Sequence, residues 1–475
     1  MDNLLKLITE ELYGTIPSQI VFLLASRNQM QLKQIQVATG LNLSDIKNAL
    51  ILLIQQNIIY KENSEKPKKS HSTSNTATNG IKNLASSLQE KTDKKTAQIS
   101  TYSIHPEEIL SRVRFPRFIK LMNQKFNENG IIEEILENGC MTVAQMIEVS
   151  PVYKRKADNN HLTNLINSLI ESEYLIPVDP NFELGENIEV KKEKKNLGKP
   201  RKRVKIDPEI KNEPQISSAI PSSSSNNSVH YRLNFQKLNR EIISEMIGNL
   251  ANFKVNIEAS VIAETLYKLG PHRQFSINEI IENLPPKPKI NKNNVDTLLE
   301  QLERAKLVTL SSQTTYSLDL PSIRSILQNS TIEKIIKGRF GDYHSRIFRV
   351  LIAKGLLDEK TISELTLLPP QEARICINDL FTSGFLHLVQ LPTLMVYGIK
   401  PEQIKEELTN QLYISMQNLK LRLHSEMEEA WNLVQRVGSL TNEEKSQLER
   451  YKQTEARIES ALLDIDRSLL IFKEI

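Results

Sequence analysis

The feature that most constrains the fold of this chain is one spacing of apolar residues that occurs four times. In each copy, apolar side chains occupy relative positions 1, 4, 9 and 10, with a polar break between the two halves. A spacing of three fits one face of a helix, and the adjacent apolar pair fits the start of a strand. The four sets are Leu50, Leu53, Ile58 and Ile59; Ile166, Leu169, Tyr174 and Leu175; Leu299, Leu302, Leu307 and Val308; and Ile377, Leu380, Phe385 and Leu386.

The segments around each set are also alike. A helical pattern and a short strand-plus-helix segment precede the set, and a hairpin follows it, which is clearest at 307–320. Three helices with a two-stranded wing form a winged helix of about 70–80 residues. We therefore predict a mainly α protein with four tandem winged-helix domains, each with a small β-wing.

Residues 401–475 follow a different pattern. Apolar residues recur close to helical period, a break occurs at 437–440, and Thr441 with Glu444 forms a capping box that opens a second helix. We predict an antiparallel coiled-coil hairpin. The seam of its second helix is formed by Leu448, Tyr451, Ile458, Leu462, Ile465 and Leu469.

Two segments have the composition of disorder. Residues 61–98 and 183–228 are rich in polar and charged residues and cannot bury enough apolar area to offset the entropy of ordering. We interpret the first as an insertion in a wing and the second as a linker between domains. The predicted domains are 1–105 (winged helix one, with insertion 61–98), 106–182 (winged helix two), 183–230 (basic, Ser-rich linker), 231–320 (winged helix three), 321–400 (winged helix four) and 401–475 (coiled-coil hairpin).

Composition and motifs argue against catalysis. The sequence has no P-loop, no G-x-G-x-x-G after a strand, no H-E-x-x-H and no G-x-S-x-G. Its eight histidines are scattered, and two cysteines cannot form a disulfide framework. We expect no catalytic residue, no metal site and no cofactor. The apolar runs are too short to span a bilayer and no signal peptide is evident, so we expect a soluble intracellular protein.

Charge is distributed unevenly along the chain. Residues 401–475 hold 14 acidic and 10 basic side chains, a net of −4, so the other residues hold 51 basic and 43 acidic, a net of +8. Basic clusters next to winged-helix patterns are candidates for contacts to DNA phosphates, independent of sequence and sensitive to salt; solvated loops are an equally open interpretation. These candidates are Arg112, Arg114 and Arg117; Lys154, Arg155 and Lys156; and Lys287, Lys289 and Lys292.

Two other segments bear on partners and location. The third helix of the first copy (44–57) is apolar nearly all round and has one basic residue, which favours burial against protein over phosphate binding. The KPRKRVK stretch in the linker indicates a nuclear localisation signal, with a solubilising charge run as the alternative. Its basic residues are Lys199, Arg201, Lys202, Arg203 and Lys205.

Three stretches together resemble one family, that of the third subunit of RNA polymerase III. They are TGLNLSDIKNALILLIQQNIIY (39–60), RVRFPRFIKLMNQKFNENGIIEEILENG (112–139) and RFGDYHSRIFRVLIAKGLLDEKTISELTLLPPQEARICINDLFTSGFLHLVQLP (339–392). The order of four winged helices and a coiled coil is also that of the family. The sequence departs from it in the 61–98 insertion and in the short fourth wing after Leu391 and Pro392.

The resemblance implies a nuclear, non-catalytic polymerase subunit. Members form a heterotrimer with two other polymerase III-specific subunits, a smaller winged-helix protein and an acidic protein. They resemble the large chain of the general factor TFIIE, lie over the clamp and DNA cleft, and support promoter opening for transfer RNA, 5S ribosomal RNA and other small RNAs. Two alternatives remain open from the residues alone: a free-standing, dimeric winged-helix DNA-binding regulator, and a scaffold unrelated to transcription.

Overall fold

The described residues of this mainly helical chain form four small sheets. The structure, a computed structural model, describes residues 1–64, 99–126, 130–149, 159–178, 229–285, 294–312, 315–392, 394–436 and 441–474. Each sheet has three antiparallel strands, and each has the same order, with the last strand in the middle: β1-β3-β2, β4-β6-β5, β7-β9-β8 and β10-β12-β11. The strands are β1 (Gln29–Gln31), β2 (Ile59–Ser64), β3 (Ile99–Ile104), β4 (Cys140–Thr142), β5 (Leu175–Pro177), β6 (His230–Leu233), β7 (Phe275–Ser276), β8 (Val308–Ser312), β9 (Thr315–Leu318), β10 (Leu357–Asp358), β11 (His387–Gln390) and β12 (Met395–Gly398).

Among the described residues, each sheet and three helices form one repeat: one helix precedes the first strand and two lie between the first and second strands. The first two repeats and the helices outside them comprise α1 (Asp2–Tyr13), α2 (Thr15–Arg27), α3 (Leu32–Thr39), α4 (Leu43–Gln55), α5 (Pro106–Ser111), a 3₁₀ turn (Arg112–Arg114), α6 (Phe115–Phe126), α7 (Ile131–Asn138), α8 (Val143–Val149) and α9 (Asn159–Glu171). The remainder comprise α10 (Phe235–Lys254), α11 (Ile257–Leu269), α12 (Ile277–Glu282), α13 (Val295–Arg304), α14 (Leu320–Phe340), α15 (Asp342–Lys354), α16 (Glu359–Thr366), α17 (Pro370–Thr382), α18 (Pro401–Val434) and α19 (Asn442–Lys473).

The repeated apolar spacing marks the junction between the third helix and the second strand of each repeat. All sixteen of its side chains are buried. At relative position 8 the backbone enters the left-handed region, at Asn57, Glu173, Lys306 and Gly384, with φ of 56°, 56°, 59° and 79°. In every copy the amide of position 9 donates to the carbonyl of position 4, and that of position 8 to position 5. These two bonds form a Schellman motif, which ends the helix and turns the chain into the strand.

The second helix of each repeat also begins in a repeated way. Two residues three apart lie at its start, and the side chain of at least one of them accepts a hydrogen bond from the backbone amide of the other. Such bonds satisfy amides that the first helical turn leaves unpaired. The pairs are Gln31 with Gln34, Thr142 with Gln145, Ser276 with Glu279, and Asp358 with Thr361.

The described chain divides into two compact units, which do not follow the order of the predicted domains. One unit, here the N-terminal unit, comprises Leu23–Glu108 and Ile119–Asn234 and holds the first two sheets. The other, the C-terminal unit, comprises Met1–Phe22, Ile109–Phe118 and Phe235–Ile475. Helix α1 was predicted to belong to winged helix one, but it packs along α18 in the C-terminal unit.

The strand pairing does not agree with the boundary predicted between the second and third winged helices. Strand β6 lies at the predicted start of winged helix three, yet it pairs with both β4 and β5. Residues 179–228 therefore connect two strands of one sheet, just as residues 65–98 connect β2 and β3. The segment predicted to link two domains therefore connects two strands of one sheet instead. The predicted disorder of both segments lies outside the described residues. The exception is 61–64, which were predicted to be disordered but extend β2.

The last two helices pack against each other and are anchored in the core of the fourth repeat. Ile404 and Leu408 at the start of α18 and Phe472 at the end of α19 join that core, which includes Phe348 and Ile377. The predicted capping box at Thr441 is confirmed, since its hydroxyl accepts from the Glu444 amide and the Glu444 carboxylate accepts from the Thr441 amide.

Candidate interaction site

Most of the predicted DNA and localisation residues lie outside the described residues. This holds for Lys154–Lys156, for Lys287, Lys289 and Lys292, and for the 199–205 stretch. Their roles stay predictions. Of the predicted DNA contacts, only Arg112, Arg114 and Arg117 can be placed.

Arg112 and Arg114 point into the protein rather than to its surface, and each is 5% exposed. The Arg112 Nε donates to the Tyr13 hydroxyl at 2.9 Å, and its guanidinium lies over the rings of Tyr13 and Phe115. The Arg114 Nε donates to both carboxylate oxygens of Asp466 at 2.9 Å. Both guanidinium groups therefore serve contacts within the C-terminal unit in this structure, not a phosphate-binding surface.

A buried polar network surrounds Arg114. Its Nη1 donates to the Asn239 Oδ1 at 3.1 Å and to the Glu474 Oε1 at 3.4 Å, and the Asn239 Nδ2 donates to the same Glu474 oxygen at 3.1 Å. Asp466 is 2% exposed. A buried carboxylate is tolerated only when it is paired and hydrogen-bonded. The network thus joins the Arg112–Arg114 turn, α10 and the end of α19.

Arg117 is half-buried and differs from the other two. Its Nη2 lies 3.9 Å from the Asp464 Oδ1, and Asp464 is largely exposed. Burial lowers the pKa of the Arg117 guanidinium, an effect that the nearby Asp466 carboxylate opposes.

The third helix of each repeat is the element that would enter a DNA groove in a winged helix. None of these helices carries more than one Lys or Arg: α4 has Lys47, α13 has Arg304, α17 has Arg374 and α9 has none. Helix α13 even presents an acidic outer face, formed by Asp296, Glu300 and Glu303. Such faces do not neutralise phosphate, so DNA contact in these repeats would depend on the segments before the helices.

Helix α4 instead docks on the second repeat. The Gln55 Nε2 donates to the Asn138 carbonyl at 3.0 Å, and the Gln56 Nε2 donates to the Glu137 carbonyl at 2.6 Å. These carbonyls end α7 and have no partner within their own helix. Gly139 permits the approach, because a Cβ there would lie 2.7 Å from the Gln55 carbonyl oxygen. The apolar α4 therefore has the protein contact that its composition favours.

The predicted seam of the second long helix is buried at its C-terminal end. Ile458, Leu462 and Leu469 are buried, whereas Leu448, Tyr451 and Ile465 are half-buried. The apolar stripe of α18 becomes exposed toward its end, with Met427 39%, Trp431 58% and Val434 42% exposed.

A groove that sequence reasoning missed lies between α1, α18 and α19 in the C-terminal unit. It consists of two cavities of about 370 and 260 Å³ that share Glu11, Lys420 and Glu459. Only the long-range packing of α1 on α18 creates it, so no local pattern could reveal it. Its apolar lining is formed by Leu7, Ile8, Leu12, Val113, Phe115, Pro116, Leu423, Met427, Leu462 and Leu463.

Metal and membrane features are limited among the described residues. No group of three or more His, Cys, Asp or Glu side chains there could hold a metal ion. Cys140 and Cys376 are free and buried, and burial raises the pKa of both thiols. No single described helix is long and apolar enough to cross a bilayer, although the bent pair α3 and α4 meets that test by length and composition alone.

Comparison with known proteins gives family-model matches to two segments of the chain and relatives along most of its length. Residues 3–60 match the RNA polymerase III subunit RPC82 helix-turn-helix domain, and residues 332–397 match the POLR3C C-terminal winged-helix domain. The DNA-directed RNA polymerase III subunit RPC3 of Bos taurus is 22% identical over 96% of this chain and 88% of its own length, and that of Homo sapiens gives the same values. The subunit rpc3 of Dictyostelium discoideum is 24% identical over 41% of this chain and 33% of its own length. The resemblance inferred from the sequence is thereby confirmed: the chain is similar to the RPC3 subunits of RNA polymerase III along nearly its whole length.

Proposed function

We propose that this chain is a non-catalytic subunit of RNA polymerase III. The similarity to RPC3 proteins over nearly the whole chain carries the proposal. The four sheets of identical strand order support an arrangement of four tandem winged helices, and the paired helices α18 and α19 support a C-terminal coiled-coil hairpin. The predicted domain boundaries stand within this proposal, except that β6 belongs to the second winged helix.

Within the polymerase, the chain acts in a heterotrimer with a smaller winged-helix subunit and an acidic subunit. This subcomplex sits on the clamp and aids promoter opening in the nucleus, where transfer RNA, 5S ribosomal RNA and other small RNAs are made. The winged helices act mainly as protein-docking blocks, since their third helices are neutral or acidic and α4 already caps a neighbouring helix.

The test is affinity purification of the tagged chain at moderate salt, with quantitative mass spectrometry of its partners. We expect the polymerase III core and the two specific subunits, at one copy each per tagged chain. Recovery of the chain alone or as a homodimer would contradict the proposal and favour the free-standing DNA-binding regulator.

DNA contact is assigned to the basic segments that precede the third helices, Lys154–Lys156 and Lys287–Lys292, and not to Arg112 or Arg114. Changing Lys154, Arg155 and Lys156 to Glu is expected to weaken binding of the purified polymerase to DNA of any sequence. It should also flatten the dependence of binding on salt, because fewer counterions are released.

A matched control changes Lys199, Arg201 and Lys202 to Glu, which reverses three charges in the segment that carries the predicted localisation signal. It is expected to leave DNA affinity unchanged in vitro and to reduce nuclear accumulation in cells. Equal loss of affinity in both triple variants would mean that net charge, rather than a DNA contact, is being measured.

A further inference from the structure

The groove between α1, α18 and α19 has an apolar surface that no described part of the chain covers. Leu12 and Met427 line it and are 47% and 39% exposed. Beyond Met427 the same stripe of α18 continues through Trp431, the single tryptophan of the chain, at 58% exposure. Exposed large apolar side chains grouped around a cavity mark protein interaction sites more often than isolated ones do.

Carboxylates dominate the charged groups that line the groove. Glu10, Glu11, Glu455 and Glu459 line it, and among the described residues Lys420 forms an ion pair with Glu11, at 2.6 Å. His424 also lines one cavity, and its Nε2 lies 3.2 Å from a carboxylate oxygen of Glu428, outside the groove. Within the described part of the chain, no cation lies within ion-pair distance of the other three carboxylates. Arg112, which also lines one cavity, donates its Nε to Tyr13.

Neighbouring carboxylates in the groove repel one another, in addition to the effect of burial. The pKa of Glu459 is raised from its usual value, first by partial burial and then by the charge of Glu455, with Glu11 adding to the effect and Lys420 opposing it. A cationic occupant would relieve this repulsion.

We propose that this groove is the docking site of a basic amphipathic helix of another protein. Apolar side chains of that helix would enter the two cavities, and its Lys or Arg residues would pair with Glu10, Glu455 and Glu459. Nucleic acid and anionic lipid are disfavoured because the rim repels phosphate. A second copy of this surface is disfavoured because it carries the same charge.

This docking site rests on the proposed function in one respect, because the partner is sought in purified RNA polymerase III. A photo-reactive benzoylphenylalanine replaces Leu12 in one variant and Met427 in another, and the crosslinked peptides are sequenced. We expect both positions to capture one and the same peptide from another subunit. That peptide should have apolar residues three and four apart, with Lys or Arg beside them.

The control places the same group at Ile414, which is exposed on α18 but does not line the groove. Capture of an acidic peptide, of a segment of this chain, or of the same peptide from Ile414 would overturn the proposal. So would the absence of crosslinks when the polymerase partners are recovered. Absence of those partners altogether would instead refute the proposed function. The docking site would then still be judged by whether the captured peptide, from whatever protein, has the expected apolar and basic residues.

A charge test separates docking from folding. The double variant Glu455→Gln and Glu459→Gln is expected to lower the crosslink yield several-fold without lowering the melting temperature of the isolated chain, since it removes repulsion. Glu406→Gln with Glu449→Gln removes two exposed charges from α18 and α19 outside the groove and should change neither. Equal crosslink yields in the two double variants would overturn the charge complementarity on which the proposal rests.

Trp431 offers an independent readout with a synthetic peptide of the crosslinked sequence. Because the chain has one tryptophan, its emission reports only the part of α18 that continues from the groove beyond Met427. We expect a shift to shorter wavelength on binding to the wild type and at least a tenfold higher Kd for the Glu455 and Glu459 double variant. An unchanged emission spectrum and an unchanged Kd would both contradict docking in this groove.

Discussion

At the residue scale, the Schellman turns show where the repeats carry local strain. The αL position is occupied by Gly384 in the fourth repeat but by Asn57, Glu173 and Lys306 in the others. For a residue with a Cβ this conformation costs about 1–2 kcal/mol. Replacement by glycine removes that cost, but part of the gain is lost because glycine also increases the entropy of the unfolded chain.

The variant Lys306→Gly is therefore expected to stabilise the protein by about 0.5 kcal/mol. Urea unfolding, monitored by circular dichroism, measures the change. Lys306→Ala keeps the Cβ and serves as the control, so it should leave the transition near its wild-type midpoint. If the alanine variant stabilised as much as the glycine variant, loss of the lysine side chain would be the cause.

Arg114 and Asp466 form the residue-scale contact with the largest expected effect. Arg114→Met leaves the carboxylate of Asp466, 2% exposed, without its guanidinium, which costs about 3–5 kcal/mol. The double variant Arg114→Met with Asp466→Leu should recover most of this loss, because neither charge is then buried alone. Chemical denaturation of the isolated chain without DNA measures both.

Arg117→Met is the matched control for that series. Its guanidinium lies 3.9 Å from an exposed carboxylate, so its loss is worth less than about 1 kcal/mol. If Arg114→Met lowered the free energy of unfolding no more than Arg117→Met does, the buried network would not stabilise the C-terminal unit. The predicted contact of Arg114 with DNA would then have to be tested again.

At the element scale, short-range patterns were sufficient to predict where helices end and strands begin. The spacing of Leu50, Leu53, Ile58 and Ile59 and of its three counterparts depends on residues within ten positions, and all of these side chains are buried. The capping box at Thr441 is equally local. Pairing across long separations was not predictable in this way, since β6 joins β5 across an intervening polar segment whose composition resembles a linker.

The contact between α4 and α7 gives a prediction at this scale. Gly139→Ala would bring a Cβ to 2.7 Å from the Gln55 carbonyl oxygen, at a residue whose φ is +79°. The clash and the strain add, so the N-terminal unit should lose more than about 2 kcal/mol. Hydrogen exchange of the β1–β3 and β4–β6 amides, compared with the wild type, measures the loss where it occurs.

Gly40→Ala separates the two causes. Gly40 also has positive φ, at +68°, but no atom lies within 4 Å of a Cβ placed there. It should cost about 1 kcal/mol from backbone strain alone. Equal effects of the two substitutions would mean that α4 and α7 are not in close contact.

At the scale of the whole molecule, chain order does not match the compact units. Local composition presents the protein as domains in a row, yet α1 and the Arg112–Arg114 turn pack with α18 and α19 in the C-terminal unit. The sequence near the turn gives no sign that Arg112 and Arg114 are buried. Asp466, the partner of Arg114, lies more than three hundred positions away, which no spacing rule can reach.

This arrangement predicts the behaviour of a nicked chain. A protease recognition sequence inserted at the Ser222–Ser225 tract lets the purified protein be cut into two pieces. The first piece carries α1 and Arg114, and the second carries α18, α19 and strand β6. The pieces are expected to co-elute in size-exclusion chromatography at moderate salt, since the Arg114 network and the pairing of β6 with β4 and β5 hold them together.

The same cut in the Arg114→Met variant tests which contact matters. Its pieces should separate at a lower urea concentration than those of the nicked wild type, because a buried ion pair between the pieces has been lost. Separation of the nicked wild type without denaturant would show independent domains in a row. Co-elution would mean that the N-terminal residues complete the C-terminal unit, so that a fragment beginning at residue 231 lacks the partner of Asp466 and should fold poorly on its own.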